Sequence, residues 1–264
     1  MPERRRKKRA RKPKKKQISP WALAGAAAAL VLVVLIPHLI LGGDRSVGAA
    51  VPEGYRHFVL DLSHHNRSVV WDSLKVVVGQ DGKTCKNLRR ARTILPLDAV
   101  VLKATEGLEM KDDRFAEYWE AARAAGLRRG AYHFFRTSTD PIAQARNYIG
   151  SVSLSYNDLP PVLDIETMHR GCTRGEVNRK AKQWLEAVKE HYGRTPVIYT
   201  SDSYARDILD DEIKRDYPLW IARYNSEPPS SAPWKLWQFT DKAVVYGVRG
   251  YADLSVCASY PLDL

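Results

Sequence analysis

Cysteine is scarce in this chain: three among 264 residues, Cys85, Cys172 and Cys257. Their spacing matches no metal-ligand pattern, which argues against a zinc-stapled scaffold, and an odd number permits one bridge with one thiol left over. Charge is missing altogether from residues 21–41, which are rich in Ala, Val and Leu and interrupted only by Pro37 and His38. A core helix of that length would show a polar face. This run shows none, and it is long enough to cross the ~30 Å hydrocarbon core of a bilayer. Acid is nearly missing from the segment before it, where residues 1–16 hold eleven Lys or Arg and one Glu: +10 of the formal +12. The remainder is thus close to neutral, and the basic character belongs to a tail and not to a domain.

Basic residues on the N-terminal side alone predict that this end stays in the cytoplasm while everything after the apolar run lies outside. The run exceeds the apolar core of a typical signal peptide, so an uncleaved anchor is expected. That divides the chain into a cytoplasmic arm (1–20), a single transmembrane helix (21–41), a linker (42–53) and an extracytoplasmic domain (54–264). Val47-Gly48-Ala49 offers a cleavage site, and cleavage there would release a secreted form. Anionic lipid headgroups are a simpler partner for the arm than nucleic acid, which is not expected as a partner. The cysteines would then face an oxidising compartment.

Beyond the linker the polarity alternates between strand and helix periods. Strands are expected over 57–62, 99–105, 129–134, 162–166 and 196–200, and helices over 70–78, 114–125, 141–154, 173–192 and 204–209. Asp140 is placed to cap the third helix with Pro141 at its first position, and Thr173 with Glu176 forms a capping box for the fourth. Residues 79–97 are polar and basic. They are expected to be an excursion with a helical turn near 87–93, on the face away from any site because they join a helix to a strand. After residue 219 no long helical pattern appears, only short strands over 219–222, 235–239 and 251–254. Five β-α units followed by three strands predict an α/β protein, a TIM-like barrel of the irregular (β/α)5(β)3 type. In such barrels the working residues sit at strand ends.

The strand over 162–166 ends in Asp164 and Glu166. Residues i and i+2 of a strand point to one side, so the two acids should project together with Cα atoms roughly 6.5 Å apart. Each raises the other's pKa, keeping a proton on one carboxyl while its neighbour stays ionised. Glycoside hydrolysis needs that division of labour. A solvated acid pair bridged to Arg170 and Arg174 is the plainer alternative, and the other strand ends bear on the choice. They carry Asp61-Leu62-Ser63-His64-His65-Asn66, Lys103-Ala104-Thr105-Glu106-Gly107 with Asp112 and Phe115 behind it, Gly130-Ala131-Tyr132-His133-Phe134, Tyr199-Thr200, Trp220 to Tyr224, Trp237-Gln238-Phe239 and Asp253-Leu254.

In their order these motifs resemble the family 25 glycoside hydrolases, N-acetylmuramidases or lysozymes that cut peptidoglycan, over residues 55–254. The resemblance implies that Glu166 is the general acid and that Asp61, Asp164 and Asp253 are the other acids of the cleft. It implies either substrate-assisted hydrolysis, in which the 2-acetamido oxygen attacks and Asp164 assists, or activation of a water by Asp164 or Asp61; the former is preferred. Tyr132, Trp220, Tyr224 and Trp237 would stack on sugars, with His133, Tyr199 and Gln238 also at the substrate, while Lys103 and Glu106 hold the geometry. Peptidoglycan strands would be the partner of a monomeric catalytic domain on a bacterial cell membrane, without cofactor or metal. His64, His65 and His133 are expected to bond carboxylates and not an ion. Cys172 and Cys257, both expected on the catalytic face, are the candidate disulfide pair. Two departures stand out: the 79–97 excursion, and the lack of a wall-binding repeat after the barrel, for which the anchor would substitute. A family 18 chitinase would need a further Asp where Val162 stands. A glycan-binding barrel without turnover is the competing reading.

Overall fold

The computed structural model describes residues 47–259, apart from Arg67, together with Leu264. The basic arm, the apolar run and the first part of the linker lie outside the described residues. Among the described residues no helix is long and apolar enough to cross a membrane.

Eight strands close into a barrel: β1 (Phe58–Leu62), β4 (Ala99–Glu106), β6 (Arg128–Phe134), β7 (Val162–Asp164), β8 (Val197–Ser201), β9 (Leu219–Ala222), β10 (Leu236–Ala243) and β11 (Ala252–Cys257), with β1 pairing both β4 and β11. Neighbours run parallel except β11, which is antiparallel to β1 and to β10. Between β1 and β4 stands a hairpin, β2 (Val76–Gly79) with β3 (Ala91–Leu95), and β5 (Met110–Lys111) extends the edge of β4. The helices α1 (Phe115–Ala124), α2 (Pro141–Ile149), α3 (Arg174–Tyr192), α4 (Asp202–Asp207) and α5 (Asp211–Asp216) lie between the parallel strands in sequence.

Strand alternation divides the apolar residues into two layers. Phe58, Leu60, Val100, Leu102, Leu163, Ile165, Ile198 and Ile221 face outward and pack with α1, α2 and α3 residues such as Tyr118, Tyr148, Trp184 and Leu185. Val59, Ala99, Val101, Val162, Val197, Leu236 and Cys257 face inward and fill the lower barrel. The helix ends follow local chemistry. Asp140 accepts from the Ala143 amide at 2.7 Å with Pro141 at the first turn, Thr173 and Glu176 close a reciprocal capping box, and Gly193, at φ 65°, takes the left-handed position that stops α3.

The helix expected over 70–78 is not formed. Trp71–Ser73 make one 3-10 turn, and Val76, Val77 and Val78 enter a strand with every residue buried. Three consecutive β-branched residues favour the extended chain, and packing on both faces removes the alternation that would have identified a strand. The excursion beyond is the return strand of this hairpin, with a 3-10 turn at Leu88–Arg90. Part of the expected linker is also ordered: the Ala49 amide donates to Thr84 Oγ1 at 3.2 Å and the Val51 amide to the Gly82 carbonyl at 3.0 Å. Helix α5 and strand β5 were not anticipated.

Candidate active site

At the C-terminal ends of the parallel strands the inward positions change from apolar to polar within two residues. Val59 is followed by Asp61, Val101 by Lys103, Val162 by Asp164, Val197 by Tyr199 and Leu236 by Gln238. Asp61, Lys103, Asp164 and Tyr199, with Ser63, His65, Tyr132, Phe134, Glu166, Trp220, Tyr224 and Asp253, line an open cleft of about 230 Å³, and Gln238 is buried behind them. Because β11 runs antiparallel, its beginning and not its end reaches this face, which brings Asp253 opposite Asp61 in the ladder.

The four acids have distinct surroundings. Asp61 is buried, and burial raises its carboxyl well above the usual range, with the charge of Asp253 adding to the effect. Burial raises the Asp253 carboxyl too, and the hydrogen bond the two share works against that rise on Asp253 while adding to the rise on Asp61. Asp61 Oδ2 also accepts from Gln238 Nε2 at 2.9 Å. Gln238 Oε1 in turn accepts from the hydroxyls of Tyr199 at 2.8 Å and Tyr224 at 2.6 Å, so two phenols fix the orientation of the amide. Asp164 ends β7, buried, with Oδ1 unpartnered; burial and then the charge of Glu166 push its carboxyl well up, against the pull of Lys103. Glu166 lies past the strand end on the cleft wall, exposed as a residue. Its carboxyl is raised first by the desolvation that the cleft imposes and then by Asp253.

A cationic strut stands behind the acids. Lys103 Nζ bonds Glu106 at 2.6 Å, Arg136 Nε bonds the other oxygen of Glu106 at 2.9 Å, and both cations lie over Phe134, at 5.3 and 4.8 Å. Burial opposes the charge on Glu106, but these bonds outweigh it and hold the carboxyl below its usual range. Glu106 therefore fixes Lys103 without lining the cleft. Arg136 was missed from the sequence, although it stands two residues beyond Phe134 on the same strand end.

Three expected substrate contacts do not line the cleft: His133, Trp237 and Gln238, the last bonded to Asp61, Tyr199 and Tyr224 behind it. His133 points into the outer layer, fully buried and stacked on Trp184 at 5.5 Å; Thr105 Oγ1 lies 2.7 Å from its Nδ1 and Gln144 Oε1 3.1 Å from its Nε2. Burial drops its pKa to about 4, so the ring is neutral near pH 7. Trp237 is likewise fully buried on the outside. It donates Nε1–H to the Arg223 carbonyl at 2.8 Å and packs edge-on against Tyr55 and Trp234. Their strand neighbours Tyr132 and Gln238 occupy the inward positions instead. Trp220 forms the floor, 2% exposed, with Nε1–H on Ser255 Oγ at 2.9 Å and its ring against Tyr199.

His64 takes Asp112 through both its amide, at 3.0 Å, and Nδ1, at 2.6 Å, and lies against the His65 ring at a tilt of 41°. Among the described residues no group of His, Cys, Asp and Glu has the geometry to hold a metal. The expected Cys172–Cys257 bridge is absent and all three cysteines are free. Cys172 stays at the upper rim, its Sγ 3.5 Å from the Thr137 carbonyl, whereas the antiparallel course of β11 carries Cys257 to the lower end, opposite Leu236.

A closed barrel with four acids converging on one open cleft is an arrangement suited to glycoside hydrolysis. The chain belongs to the glycosyl hydrolases family 25, whose sequence model matches residues 60–248. It is 30% identical over 225 residues to Lysozyme M1 of Streptomyces globisporus, covering 80% of this chain and 70% of that one. It is 29% identical over 214 residues to the protein YegX of Escherichia coli strain K12, covering 80% and 73%. Among solved structures, the bacterial lysozyme from Streptomyces coelicolor superposes with a TM-score of 0.66 at 26% identity, over 79% of this chain and 95% of that one.

Proposed function

We propose that this chain is a lysozyme-type N-acetylmuramidase that cleaves the β-1,4 bond between N-acetylmuramic acid and N-acetylglucosamine in peptidoglycan. The observation that carries the mechanism is the difference in position between two neighbouring acids whose carboxyls are both raised: Glu166 stands on the open cleft wall, and Asp164 is buried with Oδ1 unpartnered. A raised carboxyl on an open wall retains a proton to give to the glycosidic oxygen. A buried acceptor without a donor suits the N–H of a substrate acetamido group. As Glu166 protonates the leaving oxygen, the acetamido oxygen bonds to the anomeric carbon, and Asp164 accepts the amide hydrogen bond and stabilises the resulting positive charge. Water then attacks that carbon, the acetamido bond breaks, and the water's proton returns to Glu166. Such substrate-assisted hydrolysis is a recognised exception to the two-carboxylate scheme. Asp253, opposite Asp61, raises the Glu166 carboxyl and so helps it keep its proton, while Tyr132, Tyr199, Trp220 and Tyr224 supply ring faces and hydroxyls for the sugars.

The apolar run at residues 21–41 and the basic arm before it support a single-pass location in a bacterial cell membrane, with the barrel outside. The test is digestion of purified peptidoglycan by the full chain and by Glu166→Gln, with released fragments reduced and weighed by mass spectrometry. Reducing-end N-acetylmuramic acid from the wild type alone is expected. Binding without release by either protein would replace the hydrolase with a glycan receptor.

A further inference from the structure

The hairpin of β2 and β3 occupies the place where the sequence pattern called for a helix, and past Asp81 its chain is basic. Residues 82–97 hold five Lys or Arg and no Asp or Glu. Four of the cations, Lys83, Arg89, Arg90 and Arg92, are exposed. Two large apolar side chains stand among them: Leu88, 42% exposed, and Ile94, 50% exposed. Arg92 and Ile94 share the solvent face of β3, whose burial alternates residue by residue, while β2 is buried throughout and roots the hairpin in the barrel. Apolar side chains set among arginines suit an interface where headgroup phosphate meets acyl chain.

The course of the chain identifies which anionic surface is near. Ala50 bridges Lys83, and the amides of Ala49 and Val51 are held by Thr84 and Gly82, so the segment arriving from the N-terminus is fastened to the hairpin itself. Leu41, the last residue of the apolar run, precedes Ala49 by eight residues, a reach of at most about 28 Å.

We propose that the outer face of this hairpin binds the anionic phospholipid surface of the membrane in which the chain is anchored. This rests on the anchored reading given above. Arg89, Arg90 and Arg92 take phosphate oxygens, while Leu88 and Ile94 enter the headgroup boundary. The barrel is thereby docked at a fixed orientation and does not swing freely on a short leash.

The test reconstitutes the full chain in nanodiscs of phosphatidylcholine with and without phosphatidylglycerol, and follows hydrogen exchange of the backbone between Lys86 and Ile94. Exchange there is expected to slow by roughly tenfold or more in the anionic discs, since each cation near such a surface contributes about fivefold. It should stay at the neutral-disc rate in the triple variant Arg89→Glu, Arg90→Glu, Arg92→Glu, whose digestion of solubilised peptidoglycan is unchanged. Equal exchange in the two disc types while the chain co-elutes with both overturns the hairpin proposal and leaves the anchor standing. Failure to co-elute overturns the anchor and this proposal with it. Protection by soluble polyphosphate in neutral discs, with none from phosphatidylglycerol, would assign the patch to an anionic wall polymer and overturn the lipid surface.

Discussion

The interior of the barrel is two regions stacked along the same strands. Below, Val59, Ala99, Val101, Val162, Val197 and Leu236 fill the space with apolar volume, each nearly inaccessible to solvent. Above, two residues further along those strands, Asp61, Lys103, Asp164 and Tyr199 face one another across a cleft, with Gln238 buried behind them. The lower half is what a closed barrel needs to be stable, since inward space without side chains is lost dispersion and lost burial. The upper half is the reverse. It holds two buried acids of strongly raised pKa and an unpartnered carboxylate oxygen, arrangements that persist only because the surrounding ladder fixes them. The contrast teaches that this fold separates stability from chemistry by height along each strand, with one pleat repeat as the boundary.

The sharpest way to break that division is Asp164→Asn. It replaces an upper-half carboxyl by an amide of the same shape, and turnover of peptidoglycan is expected to fall by roughly 10²–10³-fold. The same change should raise stability at pH 7. A carboxyl raised in the folded state holds protons that the unfolded chain releases, so stability is lost as pH climbs from the unfolded value of 3.8 toward the folded one. Asn abolishes that loss, and a melting temperature that is higher at pH 7 and less dependent on pH between 4 and 7 is expected, a gain of about 1 kcal/mol or more. Melting curves across that range and initial rates check both halves. An unchanged rate would remove Asp164 from the mechanism.

In the lower half the sign of the effect should invert. Val101→Asn puts a polar group without partners where Val101 is 1% exposed, one pleat repeat below Lys103. A loss of about 2–4 kcal/mol in stability is expected, with turnover per folded molecule preserved. Denaturant unfolding beside single-turnover kinetics would show it.

The smallest effect is the most specific. Asp253 raises the carboxyl of Glu166, so Asp253→Asn should let Glu166 lose its proton at lower pH. The alkaline limb of the pH–rate profile is expected to move down by roughly one unit or less, leaving the acid limb to the remaining carboxyls. A limb that stays in place would show that Asp253 does not govern the acid.

The acid cluster was legible from the sequence largely because strand ends are local events. Asp61, Asp164 and Glu166 follow short apolar runs that read as buried strands, whereas Asp253 stands at the start of its strand and was placed by the order of the motifs. The side to which each residue turned was less legible. Tyr132 and His133, or Trp237 and Gln238, are adjacent on strands apolar on both faces, and in such strands alternation carries no signal for inside against outside. His133 and Trp237 were therefore expected at the substrate, and the ladder turned them into the helix layer. Arg136 escaped notice because its role depends on Glu106, thirty positions earlier in the chain.

What this sequence determined by itself is what neighbouring residues decide among themselves. The caps at Asp140 and Thr173, the strand and helix alternation from β4 to β9, and the order in which the acids arrive are set by propensity, capping and periodicity within a few residues. Tertiary structure alone decided the hairpin in place of the first helix, the downward course of β11 that parts Cys257 from Cys172 while lifting Asp253 to face Asp61, and the protonation preferences of the four acids. Each of these depends on closure of the barrel. Strand direction, inward orientation and desolvation are properties of the assembled ring, and no segment shorter than the whole ring contains them.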